Sequence, residues 1–161
     1  MRATSHRDLH AVRHSVERVR KLADRVIGIG PFGIGLDGVT AWIPGAGVVF
    51  SVVAGGMLML DGVRARAKPG VLAHMAALLI ADSLTDLVPV PVAPAVVDML
   101  FTGHKWASNV LLKHMDETIY YEGTREEAEA DREFRDHLAD LADEQRGGAP
   151  PRKRRIVYLH T

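Results

Sequence analysis

Two long apolar segments, residues 26–60 and 69–101, dominate the pattern of hydrophobic and polar positions along this chain. Each segment is long enough to cross a bilayer core of about 30 Å as a single helix. Each is also interrupted near its middle, because proline removes a backbone donor and clashes with the preceding helical turn. The predicted helix breaks are Pro44, Gly45, Pro89, Pro91 and Pro94. The pattern therefore predicts two helical hairpins rather than two straight helices.

The positions of the basic residues favour the same topology. A short basic loop, residues 64–68, joins the two apolar segments, and the N-terminal region is basic as well. Single crossings would place this loop opposite the N-terminus, against the tendency of Lys and Arg to remain cytoplasmic. Hairpins keep these residues on one side, with both termini cytoplasmic at a bacterial inner membrane. The four expected arms lie near residues 26–43, 46–61, 70–88 and 92–110. The hairpins that they form either span the bilayer or enter it and return on the same side.

Three aspartates beside the predicted breaks are the main chemical hint. A shift of 45 residues aligns residues 36–44 with residues 81–89 as a weak internal repeat, so that Asp37 matches Asp82. Asp82 and Asp86 share one helical face. Carboxylates without partners in an apolar setting take up a proton or hold a cation. Two hypotheses follow: a proton or cation site at Asp37, Asp82 and Asp86, or acids that cap helix ends.

Small residues at helical spacing predict where the arms pack. One ridge lies on the second arm and one on the third, and they consist of Gly47, Ser51, Gly55 and of Ala73, Ala77, Ala81. Such ridges let helix backbones approach closely in membranes. Small residues also suit soluble bundles, so a soluble helical protein with these segments as its core is an alternative.

Residues 1–25 predict an amphipathic helix. Apolar residues recur at alternating steps of three and four and form one stripe: Leu9, Val12, Val16, Val19, Ala23 and Val26. A second line of residues, His6, His10 and His14, follows a different face. Imidazoles at this spacing can ligate zinc or nickel, but no nearby carboxylate completes a ligand set. We therefore expect a solvated face, with a metal site as the alternative.

Charged residues return in the region 113–146. The last arm is expected to continue as a helix to Tyr121, and a capping box from Thr124 to Glu127 is expected to open a charged helix that reaches Gln145. Residues 147–161 form a basic tail, in which residues 152–155 are expected to touch anionic lipid headgroups. The terminal helices are candidate surfaces for protein partners or for a second copy of the chain.

Composition narrows the function classes. The net charge is zero, so nothing global suggests nucleic-acid binding. Cysteine is absent, which excludes disulfides and a thiol nucleophile. Residues 28–33 contain the pattern G-x-G-x-x-G, but a helix precedes it where a dinucleotide-binding fold requires a strand. No catalytic constellation or cofactor motif is visible, so we predict a non-enzymatic protein without a cofactor.

The ordered motifs also resemble a known family. They run from residues 33–37 to Ile43-Pro-Gly-Ala-Gly47, through residues 69–75 and 81–89, to Asp98. This arrangement resembles the uncharacterised bacterial family numbered four-one-one-two in the domain-of-unknown-function series, over residues 26–112. The resemblance implies a small, membrane-associated helical protein and implies no reaction. It also implies that part of a shared acidic site is missing, because Val48 and Ala93 stand where the family has aspartate.

The expected fold class is all-α. A membrane-embedded pair of proline-broken hairpins forms the core domain, residues 26–112, with an amphipathic helix before it and charged helices after it. The expected function is a non-enzymatic accessory or envelope-associated membrane module whose partner is the lipid bilayer. The alternatives are proton or cation transport through the aspartate-bearing helices, and a soluble helical interaction protein.

Overall fold

The computed structural model describes residues 2–27, 46–85, 102–146 and 154–160. Within these ranges the chain forms six helices and two strands: α1 (His6–Ile27), α2 (Ala46–Arg64), α3 (Pro69–Thr85), α4 (Thr102–Asp116), β1 (Thr118–Tyr121), α5 (Arg125–Ala130), α6 (Arg132–Arg146) and β2 (Arg155–Tyr158). The fold class is all-α, as the sequence predicts, with one short two-stranded ribbon added. The predicted breaks at Pro44, Gly45, Pro89, Pro91 and Pro94 lie outside the described residues.

α4 lies at the centre of the described core, because it contacts α1, α2 and α3. Its contribution to the core includes Ala107 and Leu111, which are fully buried. The apolar stripe of α1 packs into the same core, where Leu9, Val12 and Val16 are buried. The predicted amphipathic character of the first helix is confirmed, and its partners are α4 and α2.

The basic loop between α2 and α3 is a tight helix-ending turn. The Arg66 N–H donates to the carbonyl of Val63 at 3.1 Å, and the Ala67 N–H donates to the carbonyl of Gly62 at 3.0 Å. This pair of hydrogen bonds ends a helix when the residue after the cap is left-handed, a position that glycine usually occupies. Here Arg66 adopts that conformation, with a φ of 53°. Contacts made by its side chain must offset the conformational cost.

The ribbon supplies those contacts. β1 and β2 run parallel, with Thr118 opposite Arg155 and Tyr121 opposite Tyr158. The Arg66 guanidinium donates to the carbonyls of Tyr158 and Leu159 at 2.8 and 2.7 Å. In return, the Arg155 guanidinium donates to the carbonyl of Arg66 at 2.8 Å. Two arginines therefore clamp the α2–α3 loop to the ribbon.

The ribbon corrects two expectations about the C-terminal region. The helix predicted to continue to Tyr121 ends at Asp116, and residues 118–121 form β1 instead. Arg155, expected in a lipid-contacting tail, lies in β2 and binds the α2–α3 loop. Local periodicity misses this pairing because the two strands are separated by 33 residues.

The capping box is confirmed at the start of α5. The Thr124 hydroxyl accepts a hydrogen bond from the Glu127 N–H, and the Glu127 carboxylate accepts one from the Thr124 N–H. The helix predicted to follow it as one piece is divided at Asp131. The Asp131 carboxylate accepts from the Phe134 N–H at 3.1 Å and so caps α6. One aspartate thus ends α5 and begins α6.

The sequence predicts membrane-embedded arms. In the part of the chain that the structure describes, no helix is both long enough and apolar enough to cross a membrane. A crossing helix needs about 20 predominantly apolar residues. α3 has 17 residues, and α2 has 19, with Asp61 and Arg64 at its end.

The prediction that an alanine ridge is the packing surface of the third arm is also corrected. Its members, Ala73, Ala77 and Ala81, are exposed on α3. α3 instead turns Met75 and Leu79 toward the core, where both are buried. A glycine on α4, Gly103, permits the close approach between α3 and α4, because it leaves room for Asp82 of α3.

The last turn of α4 holds a buried histidine. His114 is only 9% exposed, and its Nε2 atom has no hydrogen-bond partner in the described structure. Burial lowers the pKa of His114 below its ordinary value of 6.5, and the positive charges of Arg155 and Lys68 lower it further. His114 is therefore neutral when folded at neutral pH.

This shift predicts a pH-dependent stability. A histidine with a lowered pKa takes up its proton more readily in the unfolded chain, so the free energy of unfolding falls as the pH drops below 6.5. We expect the decrease between about pH 7 and about pH 5, measured by urea denaturation, to be smaller in His114→Met than in the native protein. His137→Met, at an exposed position of α6, serves as the control and keeps the full decrease. An unchanged decrease in His114→Met would contradict the assignment.

Candidate functional site

Two ionisable side chains meet in the core between α3 and α4. Nδ1 of His104 lies 2.8 Å from Oδ2 of Asp82. The His104 and Asp82 side chains are 3% and 2% exposed, so the contact is almost completely shielded from water. An unpaired charge in such a place costs several kcal/mol. The pairing is therefore what allows both groups to occupy the core.

The imidazole also reaches a third helix. Nε2 of His104 lies 3.0 Å from the carbonyl oxygen of Ser51 in α2. On the other side, the Gly103 N–H donates to Oδ1 of Asp82 at 3.2 Å. Gly103 lies in the first turn of α4, where unpaired N–H groups and the helix dipole favour a negative charge. The cluster thus joins α2, α3 and α4 through one aspartate and one histidine.

The hydrogen-bond partners define the protons of the pair. A backbone carbonyl only accepts, so the contact with Ser51 requires a proton on Nε2 of His104. The contact between Nδ1 and Oδ2 then needs one further proton, carried either by the imidazole or by the carboxyl group. In both forms the pair has zero net charge. The arrangement can hold a proton that moves between two atoms without changing the charge of the core.

Glycines make the close approach possible. A Cβ atom added to Gly103 would lie 2.6 Å from Cβ of Asp82, which is too short for any real contact. A Cβ atom added to Gly55 would lie 3.6 Å from Nε2 of His104, an ordinary contact. Ser51 and Gly55, two members of the ridge predicted on the second arm, are buried here. The third member, Gly47, precedes the residues whose side chains the structure describes.

Of the three aspartates predicted as a site, the structure describes Asp82 alone. Asp37 and Asp86 lie outside the described residues, so their part in a proton or cation site stays a prediction. Asp82 is buried, and Nδ1 of His104 lies within hydrogen-bond distance of its carboxylate. Sequence reasoning missed His104. The available signal was a histidine next to a glycine in the arm expected to face Asp82.

The histidine line on α1 has a different environment. His6, His10 and His14 are all exposed. Within the described residues, no group of three His, Cys, Asp or Glu side chains is placed to hold a metal ion. The exposure of these three histidines agrees with a solvated helix face.

The outward face of α2 is apolar. Five large side chains there are between 43% and 65% exposed: Val52, Val53, Met57, Leu60 and Val63. At 100° per residue these positions fall on one side of the helix. Ile80 of α3 and Trp106 of α4 are also more than half exposed. A contiguous exposed apolar surface of this kind is typical of contact with a protein or a membrane.

The described fold and site define a small helical protein with a buried aspartate–histidine pair and one exposed apolar helix face. A family model described as "Domain of unknown function (DUF4112)" matches residues 12–115. Because this match covers more than half of the chain, the protein belongs to that family, and the resemblance seen in the sequence is confirmed. The matched region includes the pair and the apolar face of α2. No curated protein and no solved structure matches the chain.

Substitutions of Asp82 test the pair. Asp82→Ala leaves Nδ1 of His104 and the Gly103 N–H without their acceptor, and we expect a loss of about 3–5 kcal/mol in the free energy of unfolding. Asp82→Asn should cost about 1–2 kcal/mol, because its amide oxygen still accepts from Gly103 and its amide nitrogen donates to a neutral imidazole. Urea denaturation of both variants measures the difference. Equal losses would show that the hydrogen bonds of the pair do not stabilise the fold.

Substitution of Gly103 tests the helix approach. Gly103→Ala should cost about 1–3 kcal/mol, because the new methyl group overlaps Asp82 and forces α3 and α4 apart. The matched control is Gly56→Ala on α2, where an added Cβ meets no atom within 4 Å. This control should gain about 0.5–1 kcal/mol from helix propensity. The same sign for both variants in thermal denaturation would contradict the geometry.

Proposed function

We propose that the protein is a non-enzymatic membrane module that docks on the lipid bilayer through the exposed face of α2. The observation that carries this proposal is the set of five large apolar side chains on one outward face. The helix has no charged residue between Ala46 and Leu60, and the polar residue in this stretch, Ser51, is buried. A helix that is apolar all round is typical of a core or a membrane environment.

The energetics support a lipid contact. Transfer of one large aliphatic side chain from water to an apolar phase contributes about 1.5–3 kcal/mol when the side chain is fully exposed. Five side chains that are about half exposed contribute on the order of 5 kcal/mol together. That contribution is enough for reversible association.

The charged groups give the proposed module an orientation. The apolar run of α2 ends at Asp61 and Arg64, and the Arg64 side chain is 55% exposed. Basic residues at the end of an apolar helix are typical of the headgroup level, where they bind anionic lipids. The ribbon is attached at this end through Arg66, and the N-terminal segment is attached through a hydrogen bond from the Ala3 N–H to the Arg64 carbonyl. This arrangement favours a cytoplasmic side that contains both termini, at a bacterial inner membrane.

The buried pair has a supporting role in this proposal. The described contacts of Asp82 and His104 link three helices in the core, and both side chains are shielded from water. These features favour a structural function over an exposed catalytic one. α6 carries its charged face outward and is the proposed surface for protein partners.

The test is a vesicle flotation assay with matched charge variants. The native protein should float with vesicles, whereas Leu60→Glu, which places a charge in the exposed stripe, should bind at least about tenfold more weakly. The control is Ala139→Glu, which adds the same charge at an exposed position of α6 and should bind as the native protein does. A native protein that stays with the aqueous phase, both in flotation and in cell fractionation, would overturn the proposal.

A further inference from the structure

A cavity of about 400 Å³ lies where the N-terminal segment and α1 meet the end of α2. Its charged lining consists of Arg2, Arg18 and Arg64 together with Asp8 and Asp61. Three guanidinium groups against two carboxylates give the cavity an excess of positive charge. The lining therefore favours an occupant with a negative group.

The two carboxylates of the cavity are not equivalent. Asp8 accepts three hydrogen bonds, from the Thr4 N–H, the Thr4 hydroxyl and the Ser5 N–H, at 3.0 to 3.2 Å. These bonds lower the pKa of Asp8, the bond from the Thr4 N–H contributing most. The carboxylate caps the start of α1, so its binding capacity is already used within the chain.

Asp61 has one carboxylate oxygen that is unsatisfied. The residue is only 2% exposed, and its Oδ1 atom lies 3.5 Å from Nη1 of Arg64. Its second oxygen, Oδ2, is buried and has no hydrogen-bond partner in the described structure. A buried acceptor without a donor is costly, and native proteins rarely leave one unsatisfied. A donor from an occupant of the cavity would satisfy it.

The guanidinium groups suit a phosphate. Arg2 and Arg18 are exposed at the cavity, and Arg64 is half exposed. Arg18 uses its Nε atom to donate to the carbonyl of His14 at 3.3 Å, which directs the group along α1. Planar guanidinium groups bind phosphate oxygens through paired hydrogen bonds and are preferred for this purpose.

We propose that this cavity binds a phosphate group joined by a short linker to a primary ammonium group, the chemistry of a phosphoethanolamine headgroup. The arginines hold the phosphate, and Oδ2 of Asp61 accepts a hydrogen bond from the ammonium group. When these groups belong to a lipid, the cavity recognises the headgroup of the membrane on which the protein docks. This lipid form of the inference rests on the proposed membrane function. A soluble phosphoethanolamine compound carries the same groups.

The position of the cavity fits a lipid headgroup. Leu60 and Arg64 are separated by one helical turn and share a face of α2. The exposed apolar stripe therefore ends where the cavity begins. A lipid whose acyl chains contact the stripe has its headgroup at the level of Arg64 and Asp61.

The first experiment compares two kinds of vesicle of otherwise equal composition. One contains phosphatidylethanolamine, and the other contains phosphatidylcholine in its place. The trimethylammonium group of phosphatidylcholine has no N–H to donate to Asp61. We expect the native protein to bind the phosphatidylethanolamine vesicles about tenfold more tightly. Asp61→Asn should lose this preference, whereas Asp136→Asn, an exposed charge-matched control on α6, should keep it.

A second variant guards against misfolding at the buried position. Arg18→Gln should weaken binding to both kinds of vesicle through loss of a phosphate ligand, and Arg132→Gln, exposed on α6, should not. Circular dichroism and urea denaturation verify that each variant is folded. Vesicle binding by the native protein without any preference, and without an effect of Asp61→Asn, would overturn the cavity inference and leave the membrane proposal standing.

The second experiment removes the membrane. Isothermal titration of the full chain with glycerophosphoethanolamine should show binding that is weaker in Asp61→Asn, and glycerophosphocholine should bind at least about fivefold more weakly. Binding of the soluble compound without vesicle binding would support the cavity chemistry and overturn the membrane proposal. Equal binding of the two soluble compounds would overturn the assigned role of Asp61.

Discussion

The contact between Asp82 and His104 is the constraint on which the described core depends. Two ionisable groups are excluded from water there, and each stabilises the other by supplying the opposite charge or the missing proton. Since Asp82 belongs to α3, His104 to α4 and the carbonyl partner Ser51 to α2, this pairing fixes the relative positions of three helices. It also explains Gly103, because only a residue without a Cβ atom lets the carboxylate reach the start of α4.

A second set of polar contacts organises the opposite end of the α2–α3 hairpin. Arg66 takes a backbone conformation that normally belongs to glycine, and it keeps a charged side chain that binds two carbonyls of the C-terminal segment. Arg155 returns one hydrogen bond to the same loop. Both ends of this hairpin are thus held by charged groups with defined partners, although the helices between them are apolar. The exposed large side chains of α2 between Val52 and Leu60 are apolar.

The charged lining of the cavity and the apolar face of α2 meet at the last turn of that helix. Leu60 and Val63 are exposed, whereas Asp61 between them is buried with an unsatisfied oxygen, and Arg64 reaches toward solvent. Aqueous surroundings would suit Arg64 but not Leu60, and purely apolar surroundings would suit Leu60 but not Arg64. An interface between lipid and water satisfies both residues, which is the physical basis of the membrane proposal and of the headgroup inference.

Features that depend on neighbouring residues were determined by the sequence itself. The apolar stripe of α1 and the capping box of Thr124 and Glu127 follow from spacing within one or two helical turns, and the ordered motifs suffice to indicate the family. Other features were decided only by the tertiary structure. The sequence singled out Asp82, but its partner His104 lies on a different helix, and β1 pairs with a strand 33 residues further along the chain. The exposure of the alanines of α3 was also decided by the tertiary structure, because helical spacing shows which residues share a face but not what packs against that face. Local patterns encode which side chains share a surface, whereas the choice between possible partners is made by the packing of the whole chain.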